Sequence, residues 1–315
     1  MFFRIKGSKA YLPASTLILI AFLAFQKIPP KKIEKLDPPA PQVLGASVDL
    51  RGQAPEQAEV LVKPVLPGPQ LKDISAKSFL IYDQENGQIL AQKNPDEKLG
   101  IASLTKLMTG LLAYQYLNFN DTIVIHKKGL LEISPSVNFI EGDKIKTGDI
   151  FDAMIIGSCN DAAQILATEI SLKTGKPITQ LMNQKALELG MTNTSFSNPI
   201  GLDVGNNYST ANDLAKLTDA TQNLSAFSNL GLSTDLNFSG SLGYVYKIKN
   251  TNHLIAKISN LQAVKTGFTQ KSLGSMITKT LNNGHTLVLM VLGSAQRESD
   301  TLILKNQVAD QLVWR

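Results

Sequence analysis

A chain of 315 residues with 43% hydrophobic and 18% charged residues can bury a full core, which excludes a wholly disordered chain and a coiled coil. Its net charge of +5 raises nucleic acid or an anionic membrane as a partner. Residues 1–36 hold seven of the 31 Lys/Arg and one of the 26 Asp/Glu, leaving 24 against 25 for the rest. No basic run follows Lys35 beyond pairs such as Lys127-Lys128, so the sequence argues against nucleic-acid binding by the folded body.

The basic end encloses an apolar run from Tyr11 to Phe25, with Arg4, Lys6 and Lys9 before it and Lys27 after it. That layout belongs to a secretory signal or a signal anchor. No small-x-small cleavage site follows Phe25 closely, which favours an uncleaved membrane anchor over residues 1–26. No Cys follows the run either, so a lipoprotein is excluded. Nine of the 14 prolines fall between Pro29 and Pro69. That density blocks helices and sheet ladders and predicts an extended spacer over 27–74, holding a body of residues 75–315 away from the membrane. The single cysteine, Cys159, cannot form an intrachain disulfide, so the fold rests on its core.

Within the body, Ser78 to Tyr82 and Gln88 to Gln92 flank Glu85-Asn86-Gly87, a hairpin signal. Leu104, Leu107, Met108, Leu111 and Leu112 follow the spacing of a helix with one buried face. Asp149 to Ile156, Ala162 to Ser171, Ile178 to Leu189 (stopped by Gly190) and Ala211 to Ala220 (capped by Thr210) predict further helices. Asn223 to Tyr246 lacks clear periodicity and reads as loops and short strands. A second hairpin joins Ser275 to Leu281 with Thr286 to Leu292 through Asn282-Asn283-Gly284, and a closing helix is predicted from Asp300 to Trp314. The pattern is that of an α+β fold: an antiparallel sheet from the N- and C-terminal segments of the body, flanked by helices, with a helical lobe between.

Three motifs can carry chemistry. In Ser103-Leu104-Thr105-Lys106, at a predicted helix start, the i, i+3 spacing puts a hydroxyl and an amine on one face. The amine can then serve as base, and free backbone N–H groups lie nearby for an oxyanion. Ser103 is the only serine with a lysine three residues on. In Ser158-Cys159-Asn160, a break between two helices can present a hydroxyl and an amide to a cleft. The same S-x-N pattern at Ser136-Val137-Asn138 lies in a polar loop with no helix to aim it. Lys265-Thr266-Gly267 follows an apolar run and precedes the second hairpin, which places it on a strand where a lysine faces the cleft and a glycine admits close backbone approach. The other copy, Lys173-Thr174-Gly175, follows a helix, with Gly175 as its cap.

The order S-x-x-K, S-x-N, K-T-G resembles the penicillin-recognising serine peptidases, most closely the serine-type D-alanyl-D-alanine carboxypeptidases among the low-molecular-mass penicillin-binding proteins. The likeness runs from about Ala76 to the C-terminus and includes IASLTKLMTGLLA, GSCNDAAQILA, MTNTSFSNPIGLD, YSTANDLAKL and VKTGFT. It implies the β-lactamase/DD-peptidase fold and acyl transfer on peptidoglycan stem peptides, with β-lactams as covalent inhibitors and no cofactor. By the same resemblance Ser103 is the nucleophile, Lys106 its base, and Ser158 the relay to the leaving amine. Asn160 binds the peptide amide, and Lys265 with Thr266 binds the terminal carboxylate. Gly267 precedes Phe268, whose backbone N–H with that of Ser103 forms the oxyanion hole. The C-terminal β-rich domain and amphipathic helix of well-known members have no counterpart, so anchoring is expected at the N-terminus.

Other functions fit less well. A class A β-lactamase needs an E-x-x-x-N element for its deacylating water, and Ala186 to Pro199 offers only Glu188 with no Asn four residues later. A zinc carboxypeptidase needs clustered ligands, whereas His126, His253 and His285 are dispersed in sequence. A catalytically dead wall-binding module would not be expected to keep three intact motifs. Endopeptidase action on D-Ala cross-links stays open beside carboxypeptidase action.

Overall fold

The structure, a computed structural model, describes residues 2–4, 11–13, 64–65, 71, 73–222, 224, 227 and 232–314. It divides into two compact units, residues 1–59 and 60–315. In the first, Phe2–Arg4 pairs antiparallel with Tyr11–Pro13. The rest of the apolar run expected as an anchor, and most of the expected spacer, lie outside the described residues. No helix among the described residues is long and apolar enough to cross a membrane.

In the second unit the chain runs through β1 (Ser78–Asp83), β2 (Ile89–Lys93), a 3-10 turn (Ala102–Leu104) that leads into α1 (Thr105–Tyr116), then β3 (Thr122–Val124) and β4 (Lys144–Lys146). There follow α2 (Thr147–Ile156), α3 (Asn160–Thr174), α4 (Ile178–Glu188), α5 (Ala211–Ala220), β5 (Asp235–Ser239) and β6 (Val245–Lys249). It ends with β7 (Leu261–Thr269), β8 (Leu273–Asn282), β9 (His285–Ser294) and α6 (Arg297–Gln307). One five-stranded antiparallel sheet has the order β7-β8-β9-β1-β2. The two terminal segments of the body thus meet in one sheet, as the sequence pattern predicts.

The central strands are apolar on both faces because both faces are covered. Leu80 and Tyr82 of β1, with Val288, Met290 and Leu292 of β9, join the large core under the helical lobe. Phe79, Ile81, Leu287, Leu289 and Val291 point the other way and pack with Leu304 of α6. Each fully buried side chain of this size contributes about 1.5–3 kcal/mol. The hairpin between β8 and β9 turns at Asn283 and Gly284, with φ of 48° and 87°, the paired positive values that make Asn-Gly the preferred tight turn. The caps follow the sequence as well: Thr210 Oγ1 accepts the Asp213 N–H at 3.1 Å, and Gly175 closes α3 with φ 69°.

Two expectations need correction. The closing helix stops at Gln307 and does not reach Trp314. Val308 caps the helix with a distorted backbone (φ −118°, ψ −70°), its side chain and that of Ala309 packed with the sheet, and the chain passes through a 3-10 turn, Ala309–Gln311, into a short strand. That strand, Val313–Trp314, pairs with Pro64–Val65. The Pro-rich stretch therefore does not stay free of ladders over all of 27–74, since a proline is tolerated at an edge.

Candidate active site

Lys265, Ile277, Met290 and Leu80 are successive partners across β7, β8, β9 and β1. The last three belong to the core under the helical lobe, so the pleat turns Lys265 to the same side. Opposite, the 3-10 turn presents Ser103, and Lys106, the second residue of α1 and one turn after Ser103, points back toward it. The loop between α2 and α3 supplies Ser158, and Asn160 opens α3. Ala102 and Ser158 hold positive φ (48° and 56°). Such conformations are costly for non-glycine residues and concentrate at functional sites.

Lys106 is fully buried. Its Nζ lies 2.8 Å from Ser103 Oγ, 2.8 Å from Asn160 Oδ1 and 2.9 Å from the Ile200 carbonyl. Burial, reinforced by the charge of Lys265, holds its pKa well below the usual lysine value, the condition for an amine to act as a base. Lys265 is also buried; its Nζ donates to Ser158 Oγ at 2.8 Å and to the Thr266 carbonyl at 3.0 Å. Burial lowers its pKa to about 7, with Arg297 adding to the fall. The intervening Cys159 thiol is pushed up to about 12, mainly by burial, so it stays protonated and is no competing nucleophile.

The structure therefore gathers Ser103, Lys106 and Asn160 around one amine, and Ser158, Lys265 and Thr266 around the other. A Cβ on Gly267 would lie 3.1 Å from the Ser103 nitrogen, so β7 runs directly against the serine's backbone. Phe268 is 63% exposed. Asn160 is fully engaged: beyond its bond to Lys106, its Nδ2 donates to the carbonyls of Ile133 and Ser134.

Several residues of the site escaped the sequence analysis. Ile200 contributes a carbonyl to Lys106, and Arg297 Nη1 donates to the Gly267 carbonyl at 2.7 Å. The Thr251 and Thr266 hydroxyls are 2.6 Å apart. Asp161 accepts from Ser136 Oγ and from the Val137, Asn138 and Ala162 N–H groups. The second S-x-N is thus a brace for the loop that flanks Asn160. For Ile200 and Arg297 the only signal was their neighbourhood: Ile200 lies within the family-like stretch SFSNPIGLD, and Arg297 shortly follows the last strand.

The competing chemistries fare as follows. Glu188 is exposed and paired with Lys185 at the end of α4. His126 is exposed and paired with Glu141. Contrary to its isolation in sequence, His285 meets Asp83 and Glu85, with ligand-type atoms all within 4.8 Å. These groups already serve the hairpins: Asp83 accepts the Glu85 N–H and the Asn86 amide, and Glu85 accepts the Thr286 N–H.

Residues 65–296 match the Peptidase_S11 family, described as D-alanyl-D-alanine carboxypeptidase. The chain is 28% identical to D-alanyl-D-alanine carboxypeptidase DacF of Bacillus subtilis over 236 residues, which covers 73% of this chain and 60% of DacF. It is 32% identical to a D-alanyl-D-alanine endopeptidase of Pseudomonas aeruginosa, covering 71% of this chain and 73% of that protein. Among solved structures, the DD-transpeptidase of Streptomyces K15 is 26% identical with a TM-score of 0.68, over 75% of this chain and 97% of that one. The chain thus spans about 60% of the length of DacF.

Proposed function

Because the chain belongs to the D-alanyl-D-alanine carboxypeptidase family, we propose that it is a serine-type D-alanyl-D-alanine carboxypeptidase, removing the terminal D-Ala of peptidoglycan stem pentapeptides through an acyl-enzyme. The observation that carries this is the buried Lys106 amine within 2.8 Å of Ser103 Oγ. Ser103 Oγ attacks the penultimate D-Ala carbonyl while Lys106 Nζ takes the hydroxyl proton. The oxyanion forms against the backbone N–H groups of Ser103 and Phe268. The proton passes through Ser158 to the departing D-Ala amine, and water then hydrolyses the ester. Lys265 and Thr266 hold the terminal carboxylate, and Asn160 lines the path of the peptide.

β-Lactams acylate the same serine, and the folded body works outside the cytoplasm, held by residues 1–26 and the spacer. A second function, endopeptidase action on D-Ala cross-links, is favoured by one observation: the Pseudomonas endopeptidase is matched over a larger share of its length than DacF. Mass analysis of products from a pentapeptide and from a cross-linked dimer separates the two. Release of free D-Ala from the pentapeptide supports carboxypeptidase action; cleavage of the dimer alone assigns the endopeptidase, and no product from either overturns both.

A further inference from the structure

The three neighbours of Lys106 Nζ are not alike. The Asn160 Oδ1 and Ile200 carbonyl oxygens can only accept, whereas Ser103 Oγ can donate as well. A neutral amine has two N–H bonds and one lone pair. With both N–H bonds spent on the two carbonyls, at 2.8 and 2.9 Å, the lone pair is left facing the Ser103 hydroxyl. The Ile200 carbonyl thus fixes the direction in which the base accepts its proton, and the position of that carbonyl depends on a turn.

Asn198 shapes the turn. Its Oδ1 accepts the N–H groups of Ile200, Gly201 and Leu202 at 3.3, 2.7 and 3.0 Å. Its Nδ2 donates to the Leu202 carbonyl at 3.0 Å. One side chain therefore closes the backbone from both directions around Ile200. Gly201 has φ +89°, and a Cβ there would collide with the Ala102 carbonyl and the Ser103 nitrogen, so the turn sits hard against the backbone of the nucleophile. Pro199 is also tied to α1, since its carbonyl accepts Thr109 Oγ1 at 2.7 Å.

We propose that Asn198 is a positioning residue for the reaction: by templating the 198–202 turn it holds the Ile200 carbonyl on Lys106 and so aims the lone pair of the base at Ser103. The assignment rests on the acyl transfer proposed above. Asn198 touches neither the serine nor the lysine, and its effect runs wholly through a backbone carbonyl. The titratable groups that act on Lys106 are Lys265 of β7 and Cys159 before α3, and neither contacts Asn198.

The test is the acylation rate of the full chain by a fluorescent penicillin, followed through the acid limb of its pH profile, for wild type, Asn198→Ala and Asn198→Asp. Rates are normalised to the fraction of chains that finally take label, and thermal midpoints are measured alongside. Asn198→Ala is expected to lose about 10²-fold in rate, the low end of what a well-placed general base supplies. Its acid limb should also move, because Lys106 has lost an acceptor. Asn198→Asp keeps an oxygen for all three N–H groups but gives up the donor to the Leu202 carbonyl, so it should recover part of the rate, well above Asn198→Ala. If Asn198→Ala does not fold, Asn198→Ser, whose hydroxyl closes such turns more weakly, is judged by the same criteria. A wild-type rate and limb in the alanine variant would overturn the assignment. So would equal losses in Ala and Asp with an unmoved limb, which is the pattern of a purely structural residue. A wild type that takes no label would instead overturn the acyl-transfer function, and this assignment with it.

Discussion

Two buried lysines face one serine each, and burial lowers the pKa of both, although the proposed reaction asks opposite things of them. Lys106 must be neutral to accept a proton, and burial beside a second cation favours that form. In the proposed reaction Lys265 holds a carboxylate and must be charged, and its pKa of about 7 means that the charge is present below that pH and lost above it. The expected profile of kcat/KM for a substrate with a free carboxylate therefore falls on the alkaline side of about 7. Because the bound carboxylate restores the cation, kcat persists to higher pH. Lys265→Arg should remove the alkaline limb, since a guanidinium does not titrate there; an unchanged limb would detach it from Lys265. Linkage gives a stability counterpart. A lysine lowered from 10.5 to about 7 leaves the unfolded chain holding more protons in that window, so stability rises with pH across it. Denaturant midpoints should climb more steeply there in wild type than in Lys265→Met. The two lysines were legible as motifs because both lie at fixed spacing from a serine or a glycine. Ile200 was not, because it acts through a carbonyl that every residue possesses.

At the scale of elements, the site depends on backbones that come close together, and glycines mark where. Gly201 and Gly175 both have positive φ, +89° and +69°, but a Cβ on Gly175 meets nothing within 4 Å. Gly175→Ala should cost only the strain of a left-handed residue, about 1–2 kcal/mol, with penicillin labelling unchanged. Gly201→Ala adds a collision with the backbone of Ala102 and Ser103 and should also abolish labelling in the chains that remain folded. Labelling of Gly201→Ala at the wild-type rate would show that the turn need not press on Ser103. Thr210→Ala, which removes the cap of α5, should lower stability by about 1 kcal/mol and leave acylation alone. The cap, both tight turns and the helical lobe could be read from the sequence because propensity and pattern agree there. The end of α6 could not: the apolar spacing continues past Gln307, while the helix stops where Val308 packs with the sheet.

On the scale of the whole molecule, the basic charge is separated along the chain from the core and the chemistry. The basic excess lies in residues 1–36, while the sheet, the helical lobe and all the motif residues lie in the unit that begins at residue 60. Deleting residues 1–59 should leave the unfolding transition and acylation rate of the remaining chain within a few-fold of the full chain; loss of either would tie the first unit to the catalytic body. Treatment with a chelator should leave activity intact, since the proposed chemistry uses only side chains and backbone groups of the cleft. The most direct test of the central claim is peptide mapping by mass spectrometry after incubation of the full chain with benzylpenicillin. A single penicilloyl adduct on the peptide containing Ser103, absent in Ser103→Ala, is the predicted result. An unmodified chain, or an adduct that persists in Ser103→Ala, would contradict it.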